Sequence, residues 1–143
     1  MATTYASEVS GVLDGTEPAD KADGALQGGH LIRYRATITL ASQGIGDVVV
    51  LAKPRIGQVF AGGRITSSVS LGTATVSIGP ASSVAAYRAD AVHTAVDVPT
   101  AFGKASAISG AAISSEENII LTVGTAALPA AGTLVVDLLY SKS

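Results

Sequence analysis

Residues 58–79 read QVFAGGRITSSVSLGTATVSIG, and the fold class turns on this stretch. From Arg64 onward polar and apolar residues alternate: Arg64/Ile65, Ser68/Val69, Ser70/Leu71, Thr75/Val76 and Ser77/Ile78. A period of two places one set of side chains on each face of a pleated strand, so one face is buried and the other is wet. The polar partners are Ser and Thr rather than Lys and Glu, which makes the wet face polar but nearly uncharged. Gly62-Gly63 and Gly72 punctuate the run as turns, bulges or close backbone approaches do. The expectation is a strand over Gly57–Ala61, a bend at Gly62-Gly63, a strand over Arg64–Leu71, and a hairpin partner over Thr73–Ile78 across Gly72. The stretch is scaffold and carries no chemistry.

Working outward, the same grammar recurs. Leu31–Ala41 sets Ile32, Tyr34, Ala36, Ile38 and Leu40 against Arg33, Arg35, Thr37 and Thr39, a strand by the same criterion. Val48–Ala52 is a short apolar strand ended by Lys53-Pro54. Ile119–Tyr140 is 22 largely apolar residues, long enough to raise the question of a membrane span. Gly124, Pro129, Gly132 and Asp137 interrupt it, so it reads as a terminal hairpin: Asn118–Val123 and Thr133–Tyr140 around a loop at 124–132. Residues 81–115 are less regular. They allow a helical turn near Val84–Arg88 and a strand near Ala91–Val96, with the rest a small-residue loop over an open end. Seven to nine short strands and no long helix imply an all-β fold, a single antiparallel β-sandwich or jelly roll.

Residues 1–30 differ. They lack sustained periodicity and large apolar groups, and read as an extended N-terminal arm before a β-sandwich domain at 31–143. The arm is acidic: Glu8, Asp14, Glu17, Asp20 and Asp23 face only Lys21, a balance of −4, against +2 for the remainder and −2 for the chain. Arg33 and Arg35 share a strand face, and Arg64 and Arg88 are candidates to lie near them. Such a basic patch could receive an acidic arm from this chain or from a neighbour. Glu8, Asp14, Glu17, Asp20, Asp23, Arg33, Arg35 and Arg64 are therefore the candidate interaction residues.

Catalytic chemistry finds little support. Cysteine is absent, which removes disulfides, thiolate nucleophiles and Cys-based metal sites. His93 lies near Asp90 and Asp97 among many serines, but no G-x-S-x-G elbow accompanies them. The glycine pairs match neither a P-loop nor a dinucleotide fingerprint, and the acidic cluster does not meet EF-hand spacing. Glu116-Glu117 are adjacent on a strand entrance and point to opposite faces. No catalytic, cofactor-binding or metal residue is assigned, and no cofactor is expected. Lys and Arg are not clustered as nucleic-acid binding requires. Charged residues make up 14% of the chain, well below the roughly 25% of ordinary soluble domains, so partners are expected to cover part of the surface.

Four pieces carry a family resemblance: LIRYRATITLASQ (31–43), VVVLAKPRIGQVFAGGRITSSVSLGTATVSIG (48–79), YRADAVHTAVDVPTAFG (87–103) and LTVGTAALPAAGTLVVDLLY (121–140). Together they make the body resemble small virion structural proteins of tailed bacteriophages, of the capsid decoration (cement) kind. The resemblance implies a non-enzymatic protein on the capsid exterior, made in the host cytoplasm. Its partners would be the major capsid protein and neighbouring copies of itself, as a trimer ahead of a dimer. Nucleic acid, membrane and small-molecule substrates are not implied. The alternative is a tail, fibre-base or spike component that binds host surface carbohydrate through exposed aromatic residues.

Overall fold

The computed structural model describes residues 30–110 and 112–142. Eight strands follow one another: β1 (His30–Thr39), β2 (Val48–Ala52), β3 (Val59–Ser67), β4 (Thr75–Pro80), β5 (Arg88–Val92), β6 (Thr100–Phe102), β7 (Ile119–Gly124) and β8 (Thr133–Lys142). A single helical turn, α1 (Ala105–Ile108), precedes β7. The strands form two antiparallel four-stranded sheets, ordered β1-β8-β3-β6 and β2-β7-β4-β5. The fold is an all-β sandwich. Only β4 and β5, consecutive in the chain, are neighbours in one sheet; every other connection crosses from sheet to sheet. The pairings nest, β1 with β8, β2 with β7, β3 with β6 and β4 with β5.

The alternation read from the sequence fills the space between the sheets. Ile38, Ile65, Leu134, Val136, Leu138 and Tyr140 come from one sheet, and Leu51, Val76, Ile78, Ile119, Leu121 and Val123 from the other. Small β-branched and Leu side chains close a core of this kind at high packing density. Tyr34, Phe60, Tyr87 and Tyr140 gather at one place in it. Phe60 stacks on Tyr87 at 3.8 Å between ring centroids, while Tyr140 meets Tyr34 and Phe60 edge-on at 5.6 and 5.5 Å. The Tyr140 hydroxyl donates to the Tyr87 hydroxyl at 2.9 Å, and Tyr34 donates to the buried Gln58 Oε1 at 2.9 Å. Buried Tyr needs such partners, and these bonds tie β1, β3 and β8 to the β4–β5 connection.

Several expectations change. The hairpin across Gly72 does not form: β3 pairs with β8 and β6, and β4 with β7 and β5, in the opposite sheet. Residues 68–74 instead cross between sheets, held by Ser68 N–H to Thr133 O at 2.9 Å and Leu71 N–H to His93 O at 3.0 Å. The terminal hairpin is likewise absent, because β7 and β8 lie in different sheets. Their connection docks on residues 40–43 through Leu128 N–H to Gln43 O and Leu40 N–H to Gly132 O, both 2.9 Å. Gly62-Gly63 does not bend β3 into two strands; it sits beside a bulge between Phe60 and Gly62, with Gly62 at φ +122°. A Cβ on Gly63 would lie 2.7 Å from the Asp137 carbonyl oxygen, so a close backbone approach requires glycine there. Ser77, expected on the wet face, is buried. Residues 84–87 form turns rather than a helix, β5 begins at Arg88, and both β6 and α1 fall in the segment expected to be loop. Among the described residues no helix is long and apolar enough to cross a membrane.

Candidate functional site

Strand register assembles the charges on the outer face of the β1-β8-β3-β6 sheet. Arg35 of β1 lies opposite Asp137 of β8, and Asp137 lies opposite Arg64 of β3, so the three form one row across the sheet. Arg33 sits two residues along β1 on the same face, opposite Leu139. Asp137 is only 7% exposed, and a carboxylate so placed must be paired. Arg35 supplies the pair in a fork, Nε to Oδ1 at 2.9 Å and Nη2 to Oδ2 at 3.2 Å. That fork holds the Asp137 carboxyl below the usual carboxylate range; partial burial opposes it, and the charges of Arg35, Arg33 and Arg64 reinforce it. The same hydrogen bond raises the Arg35 pKa.

Three guanidinium groups therefore share one carboxylate, and the face carries a surplus of two positive charges. Among the described residues Arg33 and Arg64 make no salt bridge. Arg35, Arg64, Thr66, Pro99, Val135 and Asp137 line an open groove of ≈ 280 Å³ on this face. A groove of this chemistry can hold carboxylates or other small anions by charge and hydrogen bonding.

Of the residues singled out in the sequence, the structure thus brings Arg33, Arg35 and Arg64 onto one face. Arg88 is not with them. It lies in the other sheet, where its guanidinium donates to the carbonyls of Val76, Ala89, Ala91 and Val92 and braces the irregular β4–β5 pairing. Burial lowers its pKa. Glu8, Asp14, Glu17, Asp20 and Asp23 lie outside the described residues. Asp137 was legible only as an interruption in the apolar run 119–140. Its signal was a lone carboxylate at an outward position of a buried strand, LVVDLLY, which demands a cation on a neighbouring strand.

His93 and Glu117 are the polar candidates that remain. His93 is buried, its Nε2 has no hydrogen-bond partner, and burial followed by the charge of Arg88 lowers its pKa. Among the described residues the His93 side chain bonds to no Ser or Asp, the partners a triad base would have. Glu117 accepts hydrogen bonds from the Ser82 amide and hydroxyl, at 3.2 and 2.9 Å. It also borders a cleft of ≈ 180 Å³ with Pro54, Pro80, Tyr87, Ser114, Ser115 and Ile119. Among the described residues no three His, Asp or Glu side chains converge as metal ligands.

No protein-family model matches the chain. No curated protein matches it either. Solved structures do. The chain superposes on a component of the cyanophage Pam1 capsid asymmetric unit with a TM-score of 0.69 at 14% identity, over 92% of this chain and 99% of that one. It superposes on a component of the capsid of Ralstonia phage GP4 with a TM-score of 0.65 at 16% identity, over 80% of this chain and 86% of that one. The protein shares the fold of chains found in two phage capsids.

Proposed function

We propose that this protein is a structural component of a tailed-phage virion, and specifically a capsid decoration protein that binds the outside of the major capsid lattice. The observation that carries the reading is the match to a chain of the Pam1 capsid along nearly the whole length of both proteins. The nested strand pairing supports the jelly-roll form of the sandwich, a form common among capsid domains. The surface chemistry agrees with a life against other protein. It has few charges, and apolar side chains such as Val48 and Val50 of the edge strand β2 stand 54% and 57% exposed. A decoration protein works through many weak contacts repeated over a lattice, and its attachment stabilises the shell by mass action and multivalency. Self-association, as a trimer, belongs to the same proposal.

A carbohydrate-binding tail or spike component would need exposed rings to stack on sugars. Among the described residues Phe60, Tyr87 and Tyr140 are buried, and Tyr34 and Phe102 are half-buried and packed against the core. The aromatic side chains of the described residues are committed to the interior, which favours the decoration reading. Electron cryo-microscopy of intact particles tests it. Density for this chain at repeated positions over the shell is expected. Density at the tail would move the protein there, and its absence from particles would remove the virion role.

A further inference from the structure

We propose that the acidic N-terminal segment, residues 8–23, docks on the arginine face of its own sandwich, over Arg33, Arg35 and Arg64. The face carries three guanidinium groups around one carboxylate, with Arg33 and Arg64 free of salt bridges among the described residues. The segment carries five carboxylates against Lys21. No other segment of the chain has that balance: the carboxylates of Asp47, Asp90 and Glu117 already accept hydrogen bonds.

Connectivity favours the same molecule. The segment enters the sandwich at His30, the first residue of β1, and β1 is an edge strand. At a rise of about 3.4 Å per residue, Arg33 and Arg35 lie roughly 10 and 17 Å along that strand, and Arg64 lies two strands over, about 10 Å sideways. The seven residues from Asp23 to His30 span up to about 24 Å, a reach that covers the distance from His30 to the groove. A tether this short gives an effective concentration in the millimolar range, which suits individually weak, solvent-screened ion pairs. The docked segment would leave the arginine face covered in the free protein, and a partner with stronger anionic groups would displace it.

The chain has no cysteine, so a spin label on Thr16→Cys of the full-length protein reports on one position. At about 10 mM salt, where the Debye length is ~30 Å, the label should broaden the backbone amide signals of Arg64, Thr66 and Val135; near 1 M salt, where it is ~3 Å, the broadening should vanish. Arg33→Glu with Arg64→Glu should abolish it at low salt while keeping the Arg35–Asp137 fork. Should that variant fail to fold, neutralising the segment instead (Glu17→Gln, Asp20→Asn, Asp23→Asn) should have the same effect with the sandwich untouched. No broadening at low salt overturns the proposal, as does broadening that survives neutralisation. Mixing spin-labelled protein with isotope-labelled, label-free protein separates the copies. Broadening in the mixture as well assigns the segment to a second copy and overturns docking within the chain. The measurement uses no virion, so its outcome is independent of whether the protein decorates a shell.

Discussion

At the scale of single residues, Asp137 decides the character of the outer face. It is the one carboxylate among three arginines, is nearly buried, and is held ionised by the Arg35 fork. Its folded-state pKa lies below its unfolded value, so its contribution to stability is complete above the unfolded pKa, near 4, and is lost as pH falls through the lower folded value. The melting temperature of the native protein should therefore drop on acidification below about pH 4. Asp137→Asn should lower it by several degrees at neutral pH, by leaving Arg33, Arg35 and Arg64 uncompensated, and should flatten the acid slope. Thermal scans of both proteins between neutral pH and the acid limb check this. An unchanged slope in the variant would place the acid sensitivity elsewhere.

At the scale of elements, the sheets are held by what happens at their irregularities. β4 and β5 lose register between Val76 and Ile78, and the freed carbonyls are collected by one side chain, the Arg88 guanidinium. Lys cannot replace it, because a single ammonium cannot reach carbonyls on both strands in a fixed fork. Arg88→Ala should cost about 1.5–3 kcal/mol, since charged hydrogen bonds are lost, among them the one to the carbonyl of buried Val76. Amide hydrogen exchange should report the loss first in β5. Protection in β5 equal to that of the native protein would show that the pairing holds without the arginine. The same scale explains the two missing hairpins. An alternating strand has the same sequence whether it pairs with its chain neighbour or with a distant strand. Glycine at a turn marks a reversal without saying in which sheet the chain resumes. In this chain Ser68–Ala74 and Thr125–Gly132 cross the sandwich, so both flanking strands keep their apolar face toward the core from opposite sides.

At the scale of the molecule, the low charge content and the exposed valines of β2 describe a surface suited to covering. An edge strand without charged residues between Asp47 and Lys53 offers unpaired backbone groups and apolar contact together. Val50→Lys should change folding stability by no more than about 0.5 kcal/mol, because the side chain is exposed. It should nevertheless reduce self-association or attachment to the capsid. Sedimentation and capsid-binding assays made alongside a thermal scan separate the two effects. A variant that binds like the native protein would take β2 out of the contact surface.

The amino-acid sequence alone determined the fold class, because period-two alternation and frequent turn residues are local properties of β-structure. It determined β1 and β2 nearly to their ends, the inward residues Ile65, Val76 and Ile78 of β3 and β4, and the shared face of Arg33 and Arg35, all consequences of side chains alternating about a strand. Only the tertiary structure decided which strand lies beside which. That choice rests on closing one core between two sheets, and it summed contacts between residues far apart in the chain. It placed Asp137 between Arg35 and Arg64, sent Arg88 to the other sheet, and drew Tyr34, Phe60, Tyr87 and Tyr140 into one interior cluster. A row of charges across three strands is set by register, and register belongs to the assembled sheet rather than to any one strand.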